Sequence, residues 1–162
     1  MTSKVNLEIS YAVFDDIKEM VALSYQKRRF YEKAQAQFWR HAESAEDIQF
    51  NWFKELINHV DYMALIAKNK NKLLGFIIGR ITDAPAVYDP GGKTLLVDDF
   101  CVTCPSLWHL VGGNLLQRLR QDSKSKNVVQ VLIVCGSHDQ DKQRFLRDVN
   151  LNVASEWYVG NI

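Results

Sequence analysis

Two adjacent carboxylates, Asp98 and Asp99, sit inside a long apolar run from Lys93 to Thr103. Successive side chains of a strand point to opposite sides, so only one of the pair can face a given cleft at a time. A carboxylate so placed can serve as a general base, and the pair can equally mark a β-bulge or a solvated strand end. Cys101-x-x-Cys104 and Cys135-x-x-His138 make two pairs of soft ligands whose spacing is compatible with a Cys3His zinc site. Against zinc, Cys101 falls in a strand, no glycine knuckle surrounds the first pair, and buried cysteine is a common small core residue. Three free thiols and no metal are therefore expected. A Cys101–Cys104 redox pair lacks both a preceding Trp and a Pro between the thiols. His109 followed by Gly112, Gly113 and Asn114 places a donor beside two permissive backbones, as a phosphate loop does and as a capped amphipathic helix with incidental glycines also does. Lys142, Arg144 and Arg147, with Arg118 and Arg120, could approach a phosphate group or simply solvate two helices, and solvated faces are the usual outcome. His41 and His59 read as ordinary core or surface histidines.

These residues need one scaffold. A chain of 162 residues that is 47% hydrophobic can pack a single core without staples. Twenty basic against 19 acidic residues leave a net charge of +1, so no global field points to nucleic acid or a membrane surface. Three cysteines argue against a secreted disulfide framework and for a cytoplasmic protein. Met1 to Ser10 carries no apolar leader, and no apolar run has the length of a membrane span. With 8 Gly, 3 Pro and neither repeat nor linker, residues 1–162 read as one domain.

Val5 to Tyr11 reads as a strand, and Asp15-Asp16 opens a helix whose face carries Ile17, Met20, Val21, Ser24 and Tyr25. Lys27-Arg28-Arg29 complements a helix dipole at its C-terminal end, so that helix is expected to stop near Arg29. Residues 30–41 read as irregular or weakly helical. Ser44 and Asp47 match a capping box before the stripe Gln49, Trp52, Phe53, Leu56, Ile57 and Val60. Tyr62 to Lys68 and Leu73 to Thr82 form a hairpin around Asn69-Lys70-Asn71-Lys72. After the strand from Lys93, Trp108, Val111, Gly112, Leu115, Leu116 and Leu119 give a helix that crosses over to Val128–Cys135. That β-branched run reads as a central strand, followed by a helix over Asp139–Val149 and a final strand over Val153–Val159. The result is an α/β chain with a mixed sheet, in the order β-α-α-β-β-β-α-β-α-β.

In this order, over nearly its whole length, the chain resembles the GNAT superfamily of N-acetyltransferases. Val97-Asp98-Asp99-Phe100-Cys101-Val102 is similar to the family's fourth strand, which leads into the cofactor loop. Gly112 stands ten residues after Val102, where the family has the second Gly of Arg/Gln-x-x-Gly-x-Gly/Ala. Leu107 and Leu110 occupy the other two positions of that motif. A one-residue shift instead offers His109, Gly112, Gly113 and Asn114, and both alignments stand. Val131–Cys135 looks like the fifth strand. Phe145-Leu146 then falls where the family often has Phe-Tyr, with Leu146 in place of the Tyr that in many relatives protonates the departing thiolate.

The resemblance implies a single-domain GNAT-like fold that takes acetyl-CoA as cosubstrate and passes its acetyl group directly to an amine of a small molecule or peptide. It implies Asp98 or Asp99 as the base, and Phe100, Cys101 and Val102 beside the pantetheine and thioester. Val111, Gly112, Gly113, Asn114 and His109 would border the pyrophosphate, and Asp139 stands where the family uses Asn to hold the cofactor. Phe30, Tyr31, Phe38 and Trp39 would line the acceptor pocket, although packing of a long connection also accounts for them. A homodimer is compatible with the resemblance, and neither nucleic acid nor membrane is implied as a partner. The losses at Leu107, Leu110 and Leu146 leave a second expectation open, a non-enzymatic binding or regulatory module on the same fold.

Overall fold

The computed structural model describes residues 6–162. Val5, where the first strand was expected to begin, lies outside the described residues. Five strands form one sheet in the order β1-β2-β3-β4-β5. They are β1 (Glu8–Tyr11), β2 (Tyr62–Asn69), β3 (Lys72–Thr82), β4 (Lys93–Val102) and β5 (Val128–Ile133). The first four are antiparallel neighbours, and β5 runs parallel to β4. The β2–β3 turn is the two-residue kind that needs left-handed backbone at both centres, and Lys70 (φ 48°) and Asn71 (φ 65°) supply it.

Helices cover both faces. On one side α1 (Ile17–Ala34) and α3 (Ala45–Leu56) bury Ile17, Met20, Phe53 and Leu56 against Ile66, Phe76 and Cys101 of the sheet. On the other, α4 (Gly113–Ser123) and α5 (Gln140–Asp148) bury Leu115, Leu119 and Phe145 against Leu65, Ile77 and Phe100. A short α2 (Ala36–Trp39) follows α1, capped by the Gln35 side chain, which accepts the Gln37 and Phe38 N–H groups at 2.8 and 3.2 Å. A 3-10 turn (Pro105–Leu107) and a π turn (Trp108–Gly112) lead from β4 into α4.

Several expectations are corrected. The first helix continues past Arg29 to Ala34, because Lys27 finds a carboxylate partner in Asp99 and Tyr31, one turn further on the same face, is buried. Ser44 precedes α3 at φ −98°, ψ 25°, outside the extended geometry a capping side chain needs, and makes no cap hydrogen bond. The last strand does not form: residues 151–162 belong to no element. Without it β5 is an edge strand rather than a central one. Lys142 is not on a solvated face but 1% exposed.

Candidate functional site

The site begins where two strands part. Parallel pairing of β4 with β5 runs from Lys93↔Val128 to Val97↔Ile133 and closes with the Val134 N–H donating to Val97 O at 2.9 Å. Beyond Val97, β4 keeps β3 as partner as far as Gly75↔Val102 but, among the described residues, has no strand on its other edge. A bulge between Ile78 and Gly79 of β3 makes Asp98 the extra residue of β4. The strict alternation expected for Asp98 and Asp99 is thereby broken: Val97 and Phe100, three residues apart, both join the α4–α5 core. In a strand, alternate residues turn both N–H and C=O to the same edge. The Thr103 N–H donates to Leu74 O at 2.9 Å, so Thr103, Cys101 and Asp99 turn these groups to β3, and Phe100 and Val102 turn theirs to the opening.

An open cleft of about 170 Å³ lies along this opening. Its walls are Lys27 and Phe30 of α1, Phe100–Val102 of β4, Cys104, Trp108 and Asp139. Phe30 is half exposed, while Tyr31 is buried. The Tyr31 hydroxyl donates to Asp139 Oδ2 at 2.9 Å and accepts the Gly136 N–H at 3.2 Å, and Asp139 Oδ1 caps α5 by accepting the Lys142 N–H at 3.2 Å. Tyr31 and Asp139 thus tie α1 to the start of α5. Burial first, then the nearby Asp139 carboxylate, raises the Tyr31 pKa far above its usual value. Trp39 packs edge-on against Tyr31 at 5.0 Å, and Phe38 against Trp39 at 4.6 Å, which continues the aromatic wall away from the cleft.

The two carboxylates have different surroundings. Asp98 is exposed, with no ion pair among the described residues. Asp99 accepts from Lys27 Nζ at 2.8 Å and from Ser24 Oγ at 3.3 Å, with both charged side chains 20% exposed. Burial disfavours the Asp99 carboxylate, but the Lys27 charge and hydrogen bond outweigh it, and its pKa lies below the usual value. Lys27 is raised above the ordinary lysine value: burial opposes its charge, and Asp99 more than restores it.

The glycines of the proposed loop are not alike. A Cβ on Gly112 would meet a Trp108 ring carbon at 2.8 Å, so this glycine is required by the core; one on Gly113 would meet nothing within 4 Å. Val111 is buried in the core. His109 is exposed and bonded through Nε2 to Asp148 of α5 at 2.9 Å, and Asn114 Nδ2 donates to Leu110 O at 2.6 Å. Among the basic residues, Arg118 pairs with Asp122 at 2.9 Å and Arg144 lies 3.8 Å from Asp141.

Cys101 is buried, Cys104 exposed and Cys135 intermediate, all as free thiols. Among the described residues no three His, Cys, Asp or Glu side chains gather as metal ligands, and no helix is long and apolar enough to cross a membrane. Sequence reasoning missed two members of the site, Lys27 and Lys142. The signal was there: Lys142, Phe145, Leu146 and Val149 follow helical spacing, which puts a lysine on the apolar face of α5.

The chain aligns with a tetramutant of the BH1408 protein from Bacillus halodurans at a TM-score of 0.82 and 15% identity, over 96% of this chain and 99% of that one. A predicted acetyltransferase from Clostridium acetobutylicum, solved with acetyl-CoA, gives 0.71 at 15% identity, with 96% of each chain covered. The aminoglycoside N-acetyltransferase AAC(6')-Iy, solved with CoA, gives 0.75 at 12% identity over 100% of this chain and 98% of that one. No protein-family model and no curated protein sequence matches. At these identities the likeness is one of fold, and the fold is that of the GNAT N-acetyltransferases.

Proposed function

We propose that the chain is an acyl-CoA-dependent N-acetyltransferase that passes an acetyl group from acetyl-CoA directly to an amine of a small molecule or peptide. The observation that carries this reading is the edge of β4 beyond Val97, which lacks a strand partner among the described residues and borders the cleft. Phe100 and Val102 offer backbone N–H groups there that can polarise a thioester carbonyl whatever the side chains are. The acceptor amine enters from the side of Phe30 and Lys27. Asp99, held ionised by Lys27, fixes α1 against β4 and is a poor proton acceptor. Asp98 is exposed and stands outside the residues that wall the cleft, so as the remaining carboxylate it takes the amine's proton through water. Leu146 supplies no acid, and the thiol of CoA is a tolerable leaving group at neutral pH without one.

Two measurements test this. Acetyl-CoA and CoA are expected to raise the melting temperature in a concentration-dependent way, because a ligand of the native state stabilises it by mass action. In a panel of polyamines, amino acids, aminoglycosides and peptides, Asp98→Asn is expected to lower turnover roughly 10²–10⁴-fold while leaving CoA binding intact. Full turnover by Asp98→Asn would remove the carboxylate base. Absence of both heat and melting shift at millimolar CoA would remove acetyl-CoA altogether. The second reading, a module that binds acyl-CoA without turnover, is favoured by one observation: the small size of Gly112 serves the packing of Trp108. Binding with no acceptor in the panel would support it.

A further inference from the structure

We propose that Lys142 is itself an acyl acceptor, taking the acetyl group from acetyl-CoA seated in the opening between β4 and β5. The proposal rests on the acetyl-CoA reading above. Lys142 occupies an apolar position of α5 and is 1% exposed, a placement that costs free energy unless its amine finds partners. It finds two. Nζ donates to Val134 O at 2.9 Å and to Phe100 O at 3.3 Å, one carbonyl from each side of the opening at the point where the strands part. The rings of Phe100 and Trp108, both cleft residues, have their centroids 5.6 Å from it. The amine therefore stands directly behind the cleft wall.

An ammonium brings three N–H donors and a neutral amine two. The two carbonyl partners of Nζ are as many as a neutral amine can donate to. Its surroundings favour that form. Burial, and next the charge of Lys27 on α1, hold the pKa below the ordinary lysine value; Cys135, Cys101 and Asp139 also face it and oppose the shift without cancelling it.

The step needs no other reactant. The Nζ lone pair attacks the thioester carbonyl carbon, the C–N bond forms and the C–S bond breaks. The proton lost from nitrogen goes to the sulfur, giving Nε-acetyl-lysine and the CoA thiol. The amide keeps one N–H for a strand carbonyl. The reaction therefore occurs once per chain.

The test needs no knowledge of the external acceptor. The full chain is incubated with acetyl-CoA, its intact mass is followed, and the modified residue is located by peptide mapping, while CoA binding is measured separately by calorimetry. The expected result is a single saturable gain of about 42 Da. It should map to Lys142 at least about tenfold faster than to any exposed lysine, because only the bound thioester is held against that amine. Lys142→Arg should keep CoA binding and lose the gain. CoA binding with Lys142 unmodified, or modified no faster than exposed lysines, overturns the proposal and leaves the proposed function standing. Neither heat nor modification overturns both.

Discussion

At the Lys27–Asp99 pair the cleft wall and the stability of the chain meet. The pair joins the middle of α1 to the bulged stretch of β4, and each side chain is only 20% exposed. Replacing Asp99 by Asn leaves the Lys27 ammonium in that setting without its counter-charge, which is expected to cost about 1–3 kcal/mol. The pH dependence follows from the signs of the two shifts. A depressed Asp99 pKa gives stability that is present above the unfolded carboxylate value and is lost as pH falls through the folded one. A raised Lys27 pKa gives stability that is present below the unfolded lysine value and is lost as pH rises through the folded one. The difference in melting temperature between the parent chain and Asp99→Asn should therefore be flat from about pH 5 to 9 and shrink below about pH 4. A difference that grows on acidification would show that the pair is not what α1 leans on.

Among the elements, the hairpin and α4 were legible because local rules decided them. Asn69 to Lys72 carries turn chemistry, and the stripe from Trp108 to Leu119 holds its period through a π turn. The two errors about β5 and the last strand are one error. A strand over Val153–Val159 lying beside β5 would make β5 central, and the β-branched run of β5 suits such a place. Its absence leaves Val129 and Leu132 about half exposed. The Tyr31–Asp139 link spans 108 residues and the Lys142 bond to Phe100 spans 42, distances over which no local pattern speaks. The glycines allow a sharper test at this scale. Gly112→Ala would drive a Cβ into the Trp108 ring and is expected to cost about 1–3 kcal/mol. Gly113→Ala meets open space at helical φ −59° and should gain about 0.5–1 kcal/mol. Chemical denaturation of the two variants reads the contrast directly; equal losses would mean that both glycines answer to something other than Trp108.

For the molecule as a whole, the accessible surface of 10773 Å² exceeds the roughly 8,300 Å² expected for a compact monomer of its mass. The segment after α5 contributes to the surplus. Leu151 still packs on the core, but beyond it Val153, Trp157 and Tyr158 are 73%, 83% and 89% exposed. This stretch touches the rest of the chain through few contacts, among them the edge-on approach of Trp157 to Phe38 at 6.1 Å and the Gln37 bond to Asn161 at 2.7 Å. Contacts that leave both partners largely in water contribute little to folding free energy. A chain ending at Asn152 is therefore expected to melt within about 2 °C of the full chain. It should also bind CoA equally well, since no cleft residue lies beyond Asp139. A much larger fall would show that 153–162 is buried in solution, against the free edge of β5 or against a second copy of the chain. Repeating the melt across a hundredfold range of protein concentration separates these two, because only association makes the transition concentration-dependent.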